Sequence, residues 1–360
     1  MSARSGWRGE PPRDICIVML SAIGDAVHVL PVANALKRAW PACRITWVVQ
    51  PAARALVAGH PAIDELVLFE RRRGLRAIAS FRDVAAVLRP RRFDLLLGLQ
   101  VYAKAGLITA LTPARIKLGF DFRRARDAQW LFTNARIPAH APQHVQDQYF
   151  EFLAFLGVDP EPVTWGLAVA PHERAAQAAF FSEMDAPACA VVVGTSRADK
   201  NWAPDRYARL LEQVTARFGL QPVIVGGPSS TEREIAERVI AETKVPVVDA
   251  LGPDLRRLLW LLDGSALVVT PDTGPLHIAR AIEKPVVSLF GRTNPKRSGP
   301  YRMFEDLVVD GYARYPGEPY SAAPVPRDGM ARVTVDAVLE KIELVLARYL
   351  RPGISRATPS

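Results

Sequence analysis

Short apolar runs alternate along the chain with longer stretches in which apolar positions return every three or four residues. A run of about four to eight apolar residues bounded by turn formers reads as a buried strand, and the 3.6-residue spacing reads as a helix with one packed face. In the first half, Ile15–Leu20, Arg44–Val49, Glu65–Phe69, Phe93–Leu99 and Arg115–Gly119 predict strands, with helices near Val27–Ala39, Leu75–Leu88 and Val145–Leu156. Asp159, Pro160, Pro162, Pro171 and Pro187 then interrupt regular structure around one helical patch near Glu173–Phe181. A second alternation predicts strands near Ala190–Gly194, Pro222–Gly226, Ala266–Thr270 and Val286–Phe290. Helices are predicted near Asp205–Phe218, Thr231–Thr243, Leu255–Leu262 and Leu276–Ile282, and a last amphipathic one covers about Val333–Tyr349.

Strand and helix in alternation are what a parallel sheet with crossover helices requires. The chain accordingly divides into a tail at 1–13, a first α/β domain at 14–165, a linker at 166–187, a second α/β domain at 188–332, a helix at 333–350 and a frayed tail at 351–360. Ligands of open α/β sheets bind at the carboxyl ends of the strands, so two such domains predict a cleft between those ends.

The 360 residues suit two domains at roughly 100–200 residues each. Hydrophobic residues at 49% and charged residues at 23% give an ordinary globular balance. Lys and Arg number 46 against 37 Asp and Glu, a formal charge of +9 that favours anionic partners. No run approaches the ~18 apolar residues of a membrane span. The polar start with Pro11 and Pro12, and Asp25 soon after the first apolar run, do not form a signal peptide. Cys16, Cys43 and Cys189 are odd in number and lack CxxC spacing, which predicts buried thiols in a reducing compartment.

Four strand-to-helix turns carry candidate chemistry. The first is Ser21-Ala22-Ile23-Gly24-Asp25-Ala26-Val27-His28, with Pro31 expected in the opening turn of the helix. Gly24 permits the tight turn, and Asp25 either caps the helix or faces the cleft as a base for a bound hydroxyl. His28, a turn later, is a packed histidine or one that orients Asp25 or a substrate hydroxyl. The second turn, Gly194-Thr195-Ser196-Arg197-Ala198-Asp199-Lys200-Asn201-Trp202, is a polar loop that could hold a diphosphate through its hydroxyls and Lys200.

The third is Gly226-Gly227-Pro228-Ser229-Ser230-Thr231-Glu232, whose hydroxyls or Glu232 either cap a helix or touch a ribose. The fourth, Thr270-Pro271-Asp272-Thr273-Gly274-Pro275-Leu276-His277, opens a helix at a strand's carboxyl end, a ready anion site. A carboxylate repels phosphate, so Asp272 is expected on sugar hydroxyls or as a cap, with the N–H groups of Thr273, Gly274 and Leu276 left for phosphates. GxxxxGK[ST], GxGxxG after the first strand, HExxH, a zinc-spaced Cys/His set, GxSxG and DxD are all missing, which points to handling a diphosphate without a metal. Basic residues gather at Arg71, Arg72, Arg73, Arg76, Arg82, Arg89, Arg91 and Arg92, and again at Arg115, Lys117, Arg123, Arg124 and Arg126, near Trp130 and Phe132. They are solvated surface or the attraction for an anionic partner.

Taken in order, the Ser21-to-Asp25 start, the Thr195-to-Trp202 loop, and Asp272-Thr273-Gly274-Pro275-Leu276-His277 running on to Phe290-Gly291-Arg292-Thr293-Asn294-Pro295 resemble the ADP-heptose:lipopolysaccharide heptosyltransferase family, glycosyltransferase family 9, over about Ile15 to Tyr349. The resemblance implies a GT-B fold, two Rossmann-like domains facing across a cleft, with the C-terminal helix packing back toward the N-terminal domain. It implies an inverting transfer of heptose from ADP-heptose to the lipopolysaccharide inner core, with no cofactor or metal, in the cytoplasm on the inner face of the inner membrane, and no nucleic-acid partner.

By the same resemblance Asp25 is the general base, and Thr195, Ser196, Lys200, Thr273, Gly274 and Leu276 hold the donor phosphates. Asp272, His277, Gly227 and Ser229 meet the donor sugar or nucleotide, and Ser21, Gly24, His28 and His144 lie on the acceptor side. The chain departs from the family pattern where a Glu often follows the Gly-rich turn, here Ser229 or Ser230, and where Gly-Pro-Thr-Asp-Pro reads Gly291-Arg292-Thr293-Asn294-Pro295. Another nucleoside-diphosphate sugar, an epimerase on the same fold, and a two-lobed binding protein remain as alternatives.

Overall fold

The structure, a computed structural model, describes residues 9–72, 74, 76–315, 317–319 and 328–350. The tails at 1–8 and 351–360 and the expected helix start at Leu75 lie outside the described residues. The chain forms two compact units, Met1–Leu167 and Ala168–Ser360.

The first unit carries strands β1 (Asp14–Val18), β2 (Arg44–Val49), β3 (Glu65–Leu68), β4 (Phe93–Gly98), β5 (Ala114–Gly119) and β6 (Ala135–Arg136). Its helices are α1 (Ile23–Ala39), α2 (Pro51–Val57), α3 (Arg76–Leu88), α4 (Ala103–Leu111) and α5 (Val145–Leu156), with a 3-10 turn at Gln129–Phe132. All strand pairs are parallel, in the order β3-β2-β1-β4-β5-β6. β1 and β4 are buried on both faces, which is why they read as unbroken apolar runs.

The second unit carries α6 (Pro171–Ser182), β7 (Ala188–Val192), α7 (Pro204–Phe218), β8 (Gln221–Val225), α8 (Ser230–Glu242), β9 (Val248–Asp249) and α9 (Leu255–Gly264). It continues with β10 (Leu267–Pro271), α10 (Gly274–Ala281), β11 (Val286–Phe290), α11 (Pro295–Ser298), β12 (Val308–Asp310), α12 (Gly329–Arg332) and α13 (Val335–Arg348). Its parallel order, β12-β11-β10-β7-β8-β9, is the topology of the first sheet met again. The α/β class and the two Rossmann-like sheets expected from the sequence are therefore present.

The helical patch expected near Glu173–Phe181 is α6, which packs on α9 and gives the Gln177 side-chain amide to the Trp260 carbonyl at 2.8 Å. Other expectations shift. Pro31 lies about two turns inside α1 rather than in its opening turn, because the helix starts at Ile23 and its long buried face holds the chain through the missing N–H. Within the second unit α13 lays Val338, Leu339, Ile342 and Val345 inward and packs on α7, β11 and β12. α2 and α4 escape periodicity because one is two turns long and the other is apolar on nearly every side. The three cysteines are buried and free, and burial pushes the Cys16 and Cys189 thiols up to about 12.

Within the first unit, His60 Nε2 sits 2.8 Å from the Trp165 carbonyl, and its Nδ1 accepts the Ala62 N–H at 3.2 Å. A carbonyl only accepts, so the proton is on Nε2 and the ring is neutral. Burial lowers the His60 pKa from its usual 6.5. The unfolded chain then takes up the proton first, so the stability His60 contributes is whole above about pH 6.5 and is lost as pH falls below it. Chemical unfolding at pH 7.5 and 5.5 should show a smaller loss for His60→Gln than for the parent chain. Equal losses would place the acid sensitivity elsewhere.

Candidate functional site

In each sheet the order reverses beside its first strand, between β1 and β4 and between β7 and β10, and the crevice at such a switch point is where open α/β sheets take ligands. In the first unit the chain leaving β1 is held from both neighbouring strands. Trp47 of β2 donates its indole N–H to the Met19 carbonyl at 2.9 Å. Gln100, just past β4, donates to the Ser21 carbonyl at 2.7 Å and accepts the Leu20 N–H at 3.2 Å. The Ser21 and Gly24 backbone thus shapes the turn that presents Asp25.

The N-cap of α1 is Ala22, which has no side-chain oxygen. Asp25, three residues on, supplies the carboxylate: Oδ2 accepts the Ala22 N–H at 2.9 Å, and Oδ1 accepts the Tyr149 hydroxyl of α5 at 3.3 Å. Asp25 thus braces the helix start from the third helical position and not as the N-cap that the sequence offered, and it is half-buried beyond a strand's carboxyl end. His28 is only 4% exposed. Its Nδ1 lies 2.8 Å from Gln146 Oε1, and Gln146 returns a bond to the His28 carbonyl at 2.9 Å. His28, expected toward an acceptor, therefore joins α1 to α5. His144 caps α5 by accepting the Gln146 N–H at 3.1 Å, and its ring meets that of His28 edge-on.

In the second unit the loop after β7 is folded around Thr195. Its N–H and hydroxyl lie 2.9 and 2.8 Å from Asn201 Oδ1, and its hydroxyl accepts the Arg197 N–H at 3.2 Å. Thr195 is thereby buried in its own loop, whereas Ser196 is exposed. Lys200 Nζ lies 2.7 Å from Asp272 Oδ2 and 3.3 Å from the Asp272 carbonyl oxygen. The same Oδ2 accepts the Thr293 hydroxyl at 2.5 Å, and His277 Nε2 stands 4.0 Å from Oδ1. Asp272 is thus neither a helix cap nor an open carboxylate. It is the anchor for Lys200, and Thr273 is the N-cap of α10. Leu276, expected to offer its N–H, donates it to the Thr273 carbonyl at 3.0 Å. Asp199 is bridged by Arg197 and Arg292, which hold its carboxyl well below the usual range.

The Gly-rich turn after β8 is closed from inside. Glu232 Oε1 accepts the Gly227 N–H at 3.2 Å and Oε2 accepts the Ser229 hydroxyl at 2.8 Å, while Ser229 Oγ caps the Glu232 N–H at 3.2 Å. Gly227 and Ser229, expected on the donor, are both engaged with Glu232. A Cβ on Gly194 would stand 2.2 Å from Glu232 Cγ, so the glycine leaves room for that side chain. Among the described residues no three His, Cys, Asp or Glu side chains gather as a metal ligand set.

Sequence reasoning missed Gln100, Gln146, Tyr149 and Asn201. Gln146 was detectable, because with Tyr149, Phe150 and Leu153 it falls on the i, i+3, i+4, i+7 stripe of α5 that packs inward. A glutamine on such a stripe needs a buried partner.

Residues 81–314 match the family described as Glycosyltransferase family 9 (heptosyltransferase). The lipopolysaccharide core heptosyltransferase OpsX of Haemophilus influenzae is 30% identical over 302 residues, covering 83% of this chain and 85% of that protein. Lipopolysaccharide heptosyltransferase 1 of Escherichia coli K12 is 26% identical over 342 residues, covering 91% and 98%. Among solved structures, a family 9 glycosyltransferase from Veillonella parvula superposes with a TM-score of 0.79 at 22% identity, covering 93% of this chain and 97% of that one. The E. coli heptosyltransferase WaaC with ADP gives 0.71 at 22%, covering 92% and 99%. With two switch-point sites on paired Rossmann-like sheets and a family match across most of its length, the chain belongs to glycosyltransferase family 9, the heptosyltransferases.

Proposed function

We propose that this glycosyltransferase moves heptose from ADP-heptose to a saccharide of the lipopolysaccharide inner core, a Kdo or heptose acceptor, by an inverting, metal-independent reaction at the cytoplasmic face of the inner membrane. The names of its curated relatives support the substrate class. The observation that carries the chemistry is Asp25, a half-buried carboxylate aimed by the Ala22 N–H and the Tyr149 hydroxyl at the carboxyl end of β1.

A sugar hydroxyl is a poor nucleophile near pH 7. In this reading Asp25 takes its proton as the oxygen attacks the anomeric carbon on the face opposite the diphosphate, a service that contributes about 10²–10⁴-fold in rate. The bond from that carbon to the phosphate oxygen breaks, its electron pair leaves with ADP, and the new charge falls to the second unit. Lys200 has three N–H donors, and with Asp272 holding it in place it serves as a positioned cation for the diphosphate. The opening of α10 at Thr273 and Gly274 adds backbone N–H and dipole. Because Gly227 and Ser229 are engaged with Glu232, they leave the nucleotide base and ribose less tightly specified, and a different nucleoside-diphosphate sugar is the second reading.

Asp25→Asn should keep donor affinity near that of the parent chain while turnover falls by about 10²-fold or more; steady-state kinetics showing normal turnover would remove Asp25 from the reaction. Lys200→Ala should weaken ADP binding in calorimetry by roughly 10–150-fold, the worth of one charge-assisted hydrogen bond of ~1.5–3 kcal/mol. An unchanged dissociation constant in a variant that melts cooperatively would refute the phosphate role. Transfer should proceed at full rate in excess EDTA, and loss restored by Mg²⁺ would contradict the metal-free reaction.

A further inference from the structure

Large apolar side chains left in solvent are concentrated in one part of the chain. Among the described residues eight stand exposed, and seven of them fall between Leu68 and Leu131 in the first unit. Ile78 on α3 is 62% exposed, Phe122 is 60% and Leu131 is 61%. The elements that bear them adjoin: α3 packs beside α4, and α4 packs against the 3-10 turn, where Phe132 closes over Gly106. The loop that carries Phe122 is tied to the start of α4 by the Arg126 N–H on the Val101 carbonyl at 2.9 Å and the Ala103 N–H on Asp127 at 3.3 Å. Phe122 in turn meets Trp130, the neighbour of Leu131, with ring centroids 5.2 Å apart.

The same stretch holds the chain's positive charge. Residues 71–126 contain fourteen Lys and Arg against three Asp, a formal +11 where the whole chain carries +9. Some of these cations are neutralised, as Arg91 is by Glu65 and Arg124 by Asp121 and Glu151. Arg82, Arg89, Lys104, Arg123 and Arg126 are exposed, and among the described residues none is in an ion pair. A hollow of about 490 Å³ beside Phe122 is lined by Arg123 and Arg136.

We propose that this α3–α4 layer docks the first unit on an anionic lipid bilayer, with Phe122, Leu131 and Ile78 entering the headgroup boundary and the unpaired cations meeting lipid phosphates. Apolar side chains and free cations on one layer suit an interface that is itself apolar below and anionic above. Nucleic acid would use the cations but gives exposed aliphatic side chains nothing to enter. The inference takes from the proposed function only that the reaction takes place at a membrane face.

Co-sedimentation of the full chain with vesicles tests it without donor or acceptor present, so its failure is separate from any failure of the transfer chemistry. Binding to vesicles rich in phosphatidylglycerol should exceed binding to phosphatidylcholine alone by at least about tenfold and weaken with salt. Phe122→Ser combined with Leu131→Ser should reduce it by about tenfold, and Arg123→Gln combined with Arg126→Gln by about fivefold per cation, whereas Tyr315→Ser in the second unit should not change it. Each variant should melt cooperatively at the parent's midpoint and keep its far-UV circular dichroism, which reports that it is folded. Parent-like vesicle binding by both double variants, or no preference for the anionic vesicles, would overturn the proposal. So would retention on double-stranded DNA as tight as vesicle binding and indifferent to the apolar pair.

Discussion

An ammonium and a carboxylate 2.7 Å apart tie together the loops at the second unit's switch point. Lys200 arrives from the loop after β7, Asp272 from the end of β10, and Thr293, on the same carboxylate oxygen, from the turn after β11. Three loops at the carboxyl ends of three adjacent strands are pinned at one atom. Such a pair is weak evidence for stability, because Asp272 at 8% and Lys200 at 19% side-chain exposure surrender much of their hydration to form it. What it secures is position. A lysine on a four-carbon stem loses considerable rotamer freedom when it meets a ligand, and here most of that loss has already been taken in folding.

The first unit solves the same problem without a charge pair. Its topology is the same, so the turn after its first strand also emerges between two neighbours, and each neighbour sends a side chain to it: Trp47 from β2 and Gln100 from beyond β4. Neutral bonds suffice because the turn itself, and not a mobile cation, is what must be fixed. The difference matches the two chemistries proposed. A base has to be aimed at one hydroxyl, whereas a cation has to stand where negative charge accumulates as a bond breaks.

How much of this could be read in the sequence follows from the range of each interaction. β2, β11 and α5 have the bounds their apolar patterns predict, since burial on a sheet or along a helix stripe is written into neighbouring residues. Two-residue strands such as β6 and β9 are too short to show any period. The turns that carry Asp25, Lys200 and Asp272 were legible as strand ends followed by helix starts. Their partners were not. Tyr149 meets Asp25 across 124 positions and Lys200 meets Asp272 across 72, and no local pattern encodes which of two distant polar groups will pair. Hence Asp272 read as a sugar contact or a cap and Leu276 as an open N–H, when each has a partner inside the fold, whereas the local helix-cap reading of Ser229 was legible.

Positive charge is used in two ways along this chain, and net charge alone conceals it. Residues 168–360 hold 24 Lys and Arg against 23 Asp and Glu, so the second unit has no general field to draw a nucleotide toward it. Many of its guanidiniums are bound to carboxylates, Arg197 and Arg292 to Asp199, Arg256 to Glu173 and Arg233 to Asp249. In the proposed reaction, donor affinity in such a unit comes from short-range, directed contacts such as Lys200 and the opening of α10, which lose little to salt when partly buried. Attraction in the first unit is instead long-ranged and screened over about 10 Å at 0.1 M salt, the behaviour suited to finding an extended anionic surface and not to choosing one small molecule.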